Sequence, residues 1–266
     1  MRPVVACALA CAGGVLAPRG ADAIEVEDML DVRYPGPPRL SPDGRRVAAT
    51  VDVSDDGRRL RRLFVAPADA PEDGQLGVAL DPAAGPPAWS PDGRQLAVTV
   101  RARRRPQVAL VDVRAPGRAE RLTDLPTGAR DPRWSPDGAR LVFESRVFPD
   151  CATWTCQRAR LRQEDRRRAR VYEEDGPRRW TRWRDGRARH LFVVPAAGGV
   201  PRDLTPHPRP EVAEPTGPAP RWTFWGPERV VYVSDAPSGA GGARAQDTDL
   251  HLVPLDDGAP VRLTES

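Results

Sequence analysis

The same order of polar and apolar positions occurs three times along the chain. Each copy opens on the tetrapeptide Ser-Pro-Asp-Gly, at Ser41, Ser90 and Ser135, and continues into a run rich in apolar and β-branched residues. In this tetrapeptide Pro fixes φ, Asp bonds back to the local backbone and Gly accepts a positive φ, so it predicts a tight turn. The run that follows predicts a half-buried β-strand.

A second strand pattern lies later in each repeat, and in three of the repeats it is followed by the dipeptide Leu-Thr. The runs and the Thr that closes each of them are 108–113 with Thr123, 190–194 with Thr205, and 250–255 with Thr264. Residues 63–66 are the counterpart in the first copy, and 221–233 hold a degraded fourth copy of the first half. The chain therefore contains about four repeats of one strand-rich unit.

The three turn serines lie 49 and 45 residues apart. This period is typical of β-propeller blades, in which one four-stranded sheet takes roughly 40–50 residues. Trp89 and Trp134, which precede two of the turns, are large and flat enough to fill the space between blades. The sequence thus predicts an all-β fold, a partial β-propeller of about four blades with an inserted, partly helical segment. The blades are expected at about 36–83, 86–125, 131–206 and 218–264, and a β-sandwich with recurring turns is the alternative.

The third repeat is longer than the others because it carries an insert at 146–189. Between residues 158 and 189 the chain holds 13 Arg and six acidic residues. Residues 157–174 are predicted to form a helix, since Arg160, Glu164 and Arg168 have the spacing of i,i+4 pairs. Its apolar face is thin, so we expect a mostly solvated helix.

The first 23 residues have the features of a secretory signal peptide. Arg2 precedes an apolar run at 4–17, and Ala21-Asp22-Ala23 fits the small-x-small cleavage rule. The run is too short to span a bilayer as a helix. Residues 24–266 are therefore expected to form the mature domain, in the periplasm or outside the cell.

The four cysteines divide into two pairs. Cys7 and Cys11 lie in the signal segment, where lipidation of one of them is the alternative to cleavage. Cys151 and Cys156 remain as an even pair in an oxidising compartment, which predicts a small disulfide-closed loop. A metal site is less favoured, because no His lies near and two thiolates do not complete a tetrahedral shell. We expect no metal and no cofactor.

The basic composition says little about partners. All 41 basic residues are Arg, and the chain contains no Lys and no Asn. Codon bias in a GC-rich genome accounts for this pattern, so the formal net charge of +4 does not indicate nucleic-acid binding. We expect no nucleic-acid partner and no integral membrane span.

The repeats and the insert together resemble the propeller of bacterial serine peptidases of the prolyl oligopeptidase family. The branch of dipeptidyl and acylaminoacyl peptidases is the most similar one. The likeness is carried by the segments 145–151, 170–172, 179–186, 190–194, 198–206 and 248–254. It implies a seven- or eight-bladed propeller that caps an α/β-hydrolase domain and admits only peptides or unfolded segments. It also implies a Ser-Asp-His triad with the Ser on a Gly-x-Ser-x-Gly turn.

This chain departs from that pattern, because no residue in it fits the catalytic roles. None of its eight serines has Gly two residues away on both sides. No orienting acid is evident for His190, His207 or His251. The chain is therefore expected to be the non-catalytic, substrate-gating propeller of an exported peptidase, cut off before the hydrolase domain. Its partners would be a peptide substrate together with that missing hydrolase domain.

The sequence Tyr172-Glu173-Glu174 resembles a motif of the dipeptidyl branch. There a Glu pair on a propeller insertion binds the free amino terminus of the substrate, as two carboxylates can do through charge-assisted hydrogen bonds. Glu173 and Glu174 are thus the candidate substrate-binding residues. The alternative is that they are surface acids that balance the neighbouring Arg residues.

A second function class is a non-catalytic, protein-binding propeller similar to periplasmic TolB, and a third is a stand-alone ligand-binding propeller. TolB carries an α/β domain before its propeller, whereas here the first turn serine follows Ala23 by 18 residues. TolB-like blades also do not require the insert with its cysteines and tryptophans. These two features favour the peptidase propeller.

Overall fold

The computed structural model describes residues 34–55, 58–166, 178–179, 182–183, 185–206, 212, 221–235 and 248–264. Within these residues the strands form four antiparallel sheets of four or five strands, and two further short strands pair with each other. In three of the sheets the strands are neighbours in chain order, apart from the inserted segment, and in the first sheet the first two strands both pair with the third.

The first two sheets come from the first two repeats. The first sheet contains β1 (Tyr34–Pro35), β2 (Arg39–Leu40), β3 (Arg46–Asp55), β4 (Arg58–Pro67) and β5 (Gln75–Ala79). Its order is β1-β3-β4-β5, and β2 also pairs with β3. The second sheet contains, in this order, β6 (Ala88–Trp89), β7 (Gln95–Ala102), β8 (Arg105–Asp112) and β9 (Glu120–Arg121).

The third repeat supplies a sheet and the insert. Its chain order is β10 (Arg130–Trp134), β11 (Arg140–Val147), helix α1 (Trp154–Arg166), β12 (Arg178–Arg179), β13 (Arg182–Trp183), β14 (Ala188–Pro195) and β15 (Arg202–Asp203). The sheet order is β10-β11-β14-β15, while β12 and β13 pair with each other. The fourth sheet is β16 (Trp222–Phe224), β17 (Arg229–Asp235), β18 (Thr248–Pro254) and β19 (Val261–Arg262), in that order. Four successive antiparallel sheets, one for each repeat, make a partial β-propeller and confirm the predicted fold class.

The predicted turn has the same bonds in all three copies. Ser90 donates its hydroxyl to Asp92 Oδ1 at 2.6 Å and accepts the Gln95 N–H at 2.9 Å. Gly93 has a φ of +68° and donates its N–H to the Ser90 carbonyl. The turns at Ser41 and Ser135 repeat the serine bonds. The serine hydroxyl lowers the pKa of the aspartate in each turn, that is Asp43, Asp92 and Asp137.

The two predicted tryptophans act through the indole N–H as well as through their size. Trp89 on β6 donates to the Arg39 carbonyl on β2 at 2.8 Å. Trp134 on β10 donates to the Ala88 carbonyl on β6 at 3.1 Å. Each indole is thus bonded to the first-strand backbone of the preceding repeat.

The chain divides into two compact units, and each has its own core. The first unit covers Met1–Thr123 with Arg130–Trp134, and the second covers Asp124–Ala129 with Ser135–Ser266. The core of the first unit consists of Ala48, Leu63, Val65, Leu80, Ala84, Leu96, Val98, Ala109, Val111 and Val113. The core of the second consists of Val142, Leu191, Val193, Leu204, Val212, Trp222, Val230, Tyr232, Val253 and Leu255.

Helix α1 begins three residues before the predicted start at 157. Thr153 explains the difference, because its Oγ1 accepts the Cys156 N–H at 3.2 Å, as an N-cap residue does. The buried side chains of α1 are Gln157 and Leu161, so its apolar face is as thin as predicted. Residues 167–174 of the predicted helix lie outside the described part of the chain.

Candidate functional site

A cavity of about 210 Å³ lies between the third sheet and the start of the insert. One side is formed by His190 and Phe192 of β14 and by Asp203 of β15. The other side is formed by the start of α1, with Trp154 and Gln157, and by the loop that leads into it. All of these residues belong to the second unit.

The strands place one polar pair at the cavity. His190 and Phe192 are two residues apart on β14 and therefore point to the same face of the sheet. Phe192 lies opposite Asp203 in the register of β14 and β15, which brings the carboxylate within reach of the imidazole. His190 Nδ1 and Asp203 Oδ2 are 2.7 Å apart, and Asp203 Oδ1 accepts the Thr205 N–H at 2.9 Å.

The insert wall of the cavity is held by several independent bonds. Gln157 Oε1 accepts the Phe148 N–H at 2.9 Å, and its Nε2 donates to the carbonyls of Phe148 and Cys151, both at 2.8 Å. A disulfide joins Cys151 to Cys156, with the Cα atoms 5.3 Å apart, which is a usual separation for such a bridge. The loop before α1 is therefore fixed both covalently and by a fully bonded amide side chain.

Aromatic rings line the cavity beside the His190–Asp203 pair. The ring centroid of Trp154 lies 5.5 Å from that of Phe192, with the planes tilted by 35°. Phe192 also stacks on Phe143 at 5.8 Å. Arg160 of α1 lies over the outer face of Phe148, 5.0 Å from its centroid, and pairs with Asp150.

The His190 pair also has a structural counterpart in two other sheets. The hydroxyls of the Leu-Thr dipeptides accept backbone N–H groups from the third strand of each sheet: Thr123 from Val108 at 2.9 Å, Thr205 from Leu191 at 3.1 Å and Thr264 from Leu250 at 3.0 Å. The residues just before these donors are Gln107, His190 and Asp249. Each of them bonds to the fourth strand or the residues just after it, so His190 both fastens β15 and lines the cavity.

The expectation that the histidines lack an orienting acid is wrong for His190. Its acid, Asp203, is 13 residues away along the chain, and only the pairing of β14 with β15 brings the two together. The Leu-Thr dipeptide is the sequence signal for this, because in the second, third and fourth repeats its Thr hydroxyl binds the third strand and places the end of the repeat beside it.

A second histidine contacts a serine, but both are core residues. His251 Nδ1 lies 3.1 Å from Ser234 Oγ, and the ring stacks on Tyr232 at 5.3 Å. Ser234 and His251 are 1% and 6% exposed, and burial lowers the pKa of His251. A hydroxyl so enclosed offers no approach to a substrate carbonyl, and this pair is no candidate for nucleophilic catalysis.

Three residues singled out in the sequence fall in parts of the chain that the structure does not describe. Glu173, Glu174 and His207 lie outside the described residues, as does the signal segment 1–23. Among the described residues no three His, Cys, Asp or Glu side chains come together as metal ligands. In the same part of the chain no helix is long and apolar enough to cross a membrane.

The sequence matches no protein-family model and no curated protein. The structure is similar to acylaminoacyl peptidase from Pyrococcus horikoshii, with a TM-score of 0.58 and 15% identity over 88% of this chain and 32% of that one. It is also similar to the β-propeller domain of the trilobed protease from Pyrococcus furiosus, with a TM-score of 0.52 and 11% identity over 88% of this chain and 57% of that domain. TolB from Acinetobacter baumannii gives a TM-score of 0.49 and 16% identity over 88% and 44% of the two chains.

The chain thus spans about a third of the length of the acylaminoacyl peptidase that it matches, at 32%. At identities of 11% and 15% the likeness to the two propellers with TM-scores above 0.5 shows the fold, a partial β-propeller.

Proposed function

We propose that the chain is the propeller part of an exported serine peptidase of the prolyl oligopeptidase family, and that it controls which peptides reach the hydrolase active site. The observation that carries the proposal is the similarity to acylaminoacyl peptidase, with a TM-score of 0.58 over 88% of this chain. The family resemblance of the segments around the insert supports the same assignment. In this proposal the described residues contribute the propeller sheets, and the chemistry belongs to the hydrolase domain.

Export is supported by two separate features. Residues 1–23 have the composition of a signal peptide. The insert carries a disulfide, Cys151–Cys156, and such bonds persist in oxidising compartments. The proposed location is the periplasm or the outside of the cell.

A covalent serine probe tests the family assignment. Extracts of cells that encode this chain are treated with a fluorophosphonate probe, and the native polypeptide is captured with an antibody against residues 85–135. We expect the captured polypeptide to carry the label on a serine outside this chain, because the probe reacts with an accessible, activated nucleophile. No serine of this chain lies in a Gly-x-Ser-x-Gly sequence, and Ser234, which contacts His251, is only 1% exposed.

The controls separate the alternatives. Extract pretreated with a serine-directed inhibitor should lose the label, and residues 24–266 expressed alone should remain unlabelled. An unlabelled native polypeptide would contradict the peptidase assignment and would favour a protein-binding propeller of the TolB kind. Labelling of the chain expressed alone would contradict its non-catalytic role.

Glu173 and Glu174 are proposed to hold the free amino terminus of the peptide substrate. Changing both to Gln should weaken binding of a peptide with a free amino terminus by about tenfold, because charge-assisted hydrogen bonds contribute roughly 1.5–3 kcal/mol. The affinity of the same peptide with an acetylated terminus should not change. Fluorescence anisotropy of the two labelled peptides measures both affinities.

Glu72 and Asp73, two consecutive exposed acids of the first unit, provide a matched control pair. Their change to Gln and Asn should leave both affinities unchanged. An equal loss in the two double variants would show that net charge, and not a site at Glu173 and Glu174, governs binding.

A further inference from the structure

We propose that the cavity between the third sheet and the insert is a binding site for a phenolic ring, which stacks beside Trp154 and donates its hydroxyl to His190. This site is independent of the peptidase assignment, because it is built entirely from residues of this chain.

The polar group is the imidazole of His190, which is 2% exposed and lines the cavity. Its Nδ1 faces Asp203 at 2.7 Å, and a carboxylate has only acceptor sites, so Nδ1 carries the proton. In the neutral imidazole Nε2 is then the acceptor nitrogen. Among the described residues the ring is bonded to Asp203 through Nδ1, which leaves Nε2 as the nitrogen to which the proposal assigns the ligand hydroxyl.

The walls favour a neutral, planar ligand. Asp203 is the carboxylate at the cavity, and the His190 ring and the Thr205 N–H already bind its two oxygens. Phe192 and Trp154 form an aromatic surface, with Trp154 only partly buried. Aromatic rings prefer offset or tilted contact with one another, and such pairs contribute about 0.5–1.5 kcal/mol beyond the buried area.

The size of the cavity limits the ligand to about one ring. Its volume of about 210 Å³ is below the range of roughly 300–1,000 Å³ that is typical of pockets for drug-sized molecules. The bonds of Gln157 and the disulfide hold the insert wall in place before the ligand arrives. Preorganisation of this kind reduces the cost of ordering on binding. A single ring with one O–H donor is a phenol, either in the side chain of a tyrosine or as a free small molecule.

Calorimetric titration of three probes into residues 24–266 tests the site. N-acetyl-tyrosinamide and 4-methylphenol should bind saturably, and N-acetyl-phenylalaninamide should bind about fivefold more weakly than the tyrosine compound, since one hydrogen bond contributes roughly 1 kcal/mol. A tighter complex with N-acetyl-tyrosinamide than with 4-methylphenol would indicate a peptide ligand, and equal affinities would indicate a free phenol. The absence of saturable binding of both phenols would overturn the proposal.

Two variants test the contribution of the aromatic wall and that of the His190 imidazole separately. Trp154→Ala should weaken both phenols by about tenfold, whereas the matched control Trp225→Ala, at a position 64% exposed and away from the cavity, should not. His190→Phe keeps a ring but removes the acceptor, so the tyrosine and phenylalanine compounds should then bind equally. A preference for the tyrosine compound that survives in His190→Phe, or equal losses in the two Trp variants, would exclude the site.

Nuclear magnetic resonance keeps the proposal testable if His190→Phe does not fold. In the unmodified chain the Nε2 resonance of His190 should shift during titration with 4-methylphenol, while the ring resonances of the buried His251 should not. An unchanged His190 resonance at saturation would contradict the proposed hydrogen bond.

Discussion

Replacing Glu144 by Ala should lower the free energy of unfolding by about 3–5 kcal/mol, because it removes one half of a buried ion pair. Glu144 on β11 binds Arg189 Nη1 on β14 through Oε2 and accepts the Trp222 indole N–H through Oε1 at 2.9 Å. The side chains of Glu144 and Arg189 are only 13% and 9% exposed. The carboxylate therefore connects the third and fourth sheets inside the second unit. Urea unfolding followed by circular dichroism measures the loss.

Two further variants give this measurement its controls. Glu228→Ala removes an exposed glutamate from the same unit and should change stability by less than about 0.5 kcal/mol. The double variant Glu144→Leu with Arg189→Met replaces the pair by apolar side chains and should recover most of the loss, since buried ion pairs are often exchanged for apolar groups at little cost. A double variant no more stable than Glu144→Ala would show that packing, and not the loss of the ion pair, explains the effect.

Replacing Asp81 by Ala should lower the free energy of unfolding by about 2–4 kcal/mol, because three hydrogen-bond donors then lose the fully buried carboxylate that accepts from them. The Asp81 side chain is 0% exposed. Its Oδ1 accepts the Ala83 N–H at 3.0 Å and Arg130 Nη1 at 3.1 Å, and its Oδ2 accepts Arg101 Nε at 3.1 Å. The two guanidinium groups are partly exposed and can be hydrated after the change, which keeps the loss below that expected for Glu144→Ala.

Asp81→Asn keeps an oxygen for the Ala83 N–H and removes the charge, so about half of the loss should remain. Asp73→Ala, at an exposed position of the same unit, should have almost no effect. Equal stabilities for Asp81→Ala and Asp73→Ala in urea unfolding would contradict the role assigned to Asp81.

The fold was predictable because its main signals are local. The turn at Ser90 is encoded by four consecutive residues, and all of its bonds close within five positions of the chain. The start of α1 is also encoded locally, by the capping residue Thr153. The prediction placed it at residue 157 because it relied on the i,i+4 spacing of residues that lie after the cap. Local signals of this kind allowed the strands and their repeat to be found from sequence.

The buried charges and the cavity could not be found in the same way. Asp81 and Arg130 are 49 residues apart, and Glu144 and Arg189 are 45 apart. In the sequence nothing distinguishes Asp81 and Glu144 from the many other Asp and Glu residues that lie near an Arg. Glu144 and Arg189 meet because β11 pairs with β14, and Asp81 and Arg130 meet because the folded chain brings distant segments together, so no short stretch of sequence contains either pair. The same applies to Asp203, which meets His190 only through strand register.

The indole bonds of Trp89 and Trp134 have a consequence for how the number of repeats can change by gene duplication. Both acceptors, Arg39 and Ala88, contribute a main-chain carbonyl, a group that every residue type supplies. A duplicated repeat would therefore meet a ready acceptor in the copy before it, whatever side chain stands there. Duplication of the coding segment can lengthen the array without any compensating substitution at the acceptor, and the number of repeats is free to change faster in evolution than the contact that joins them.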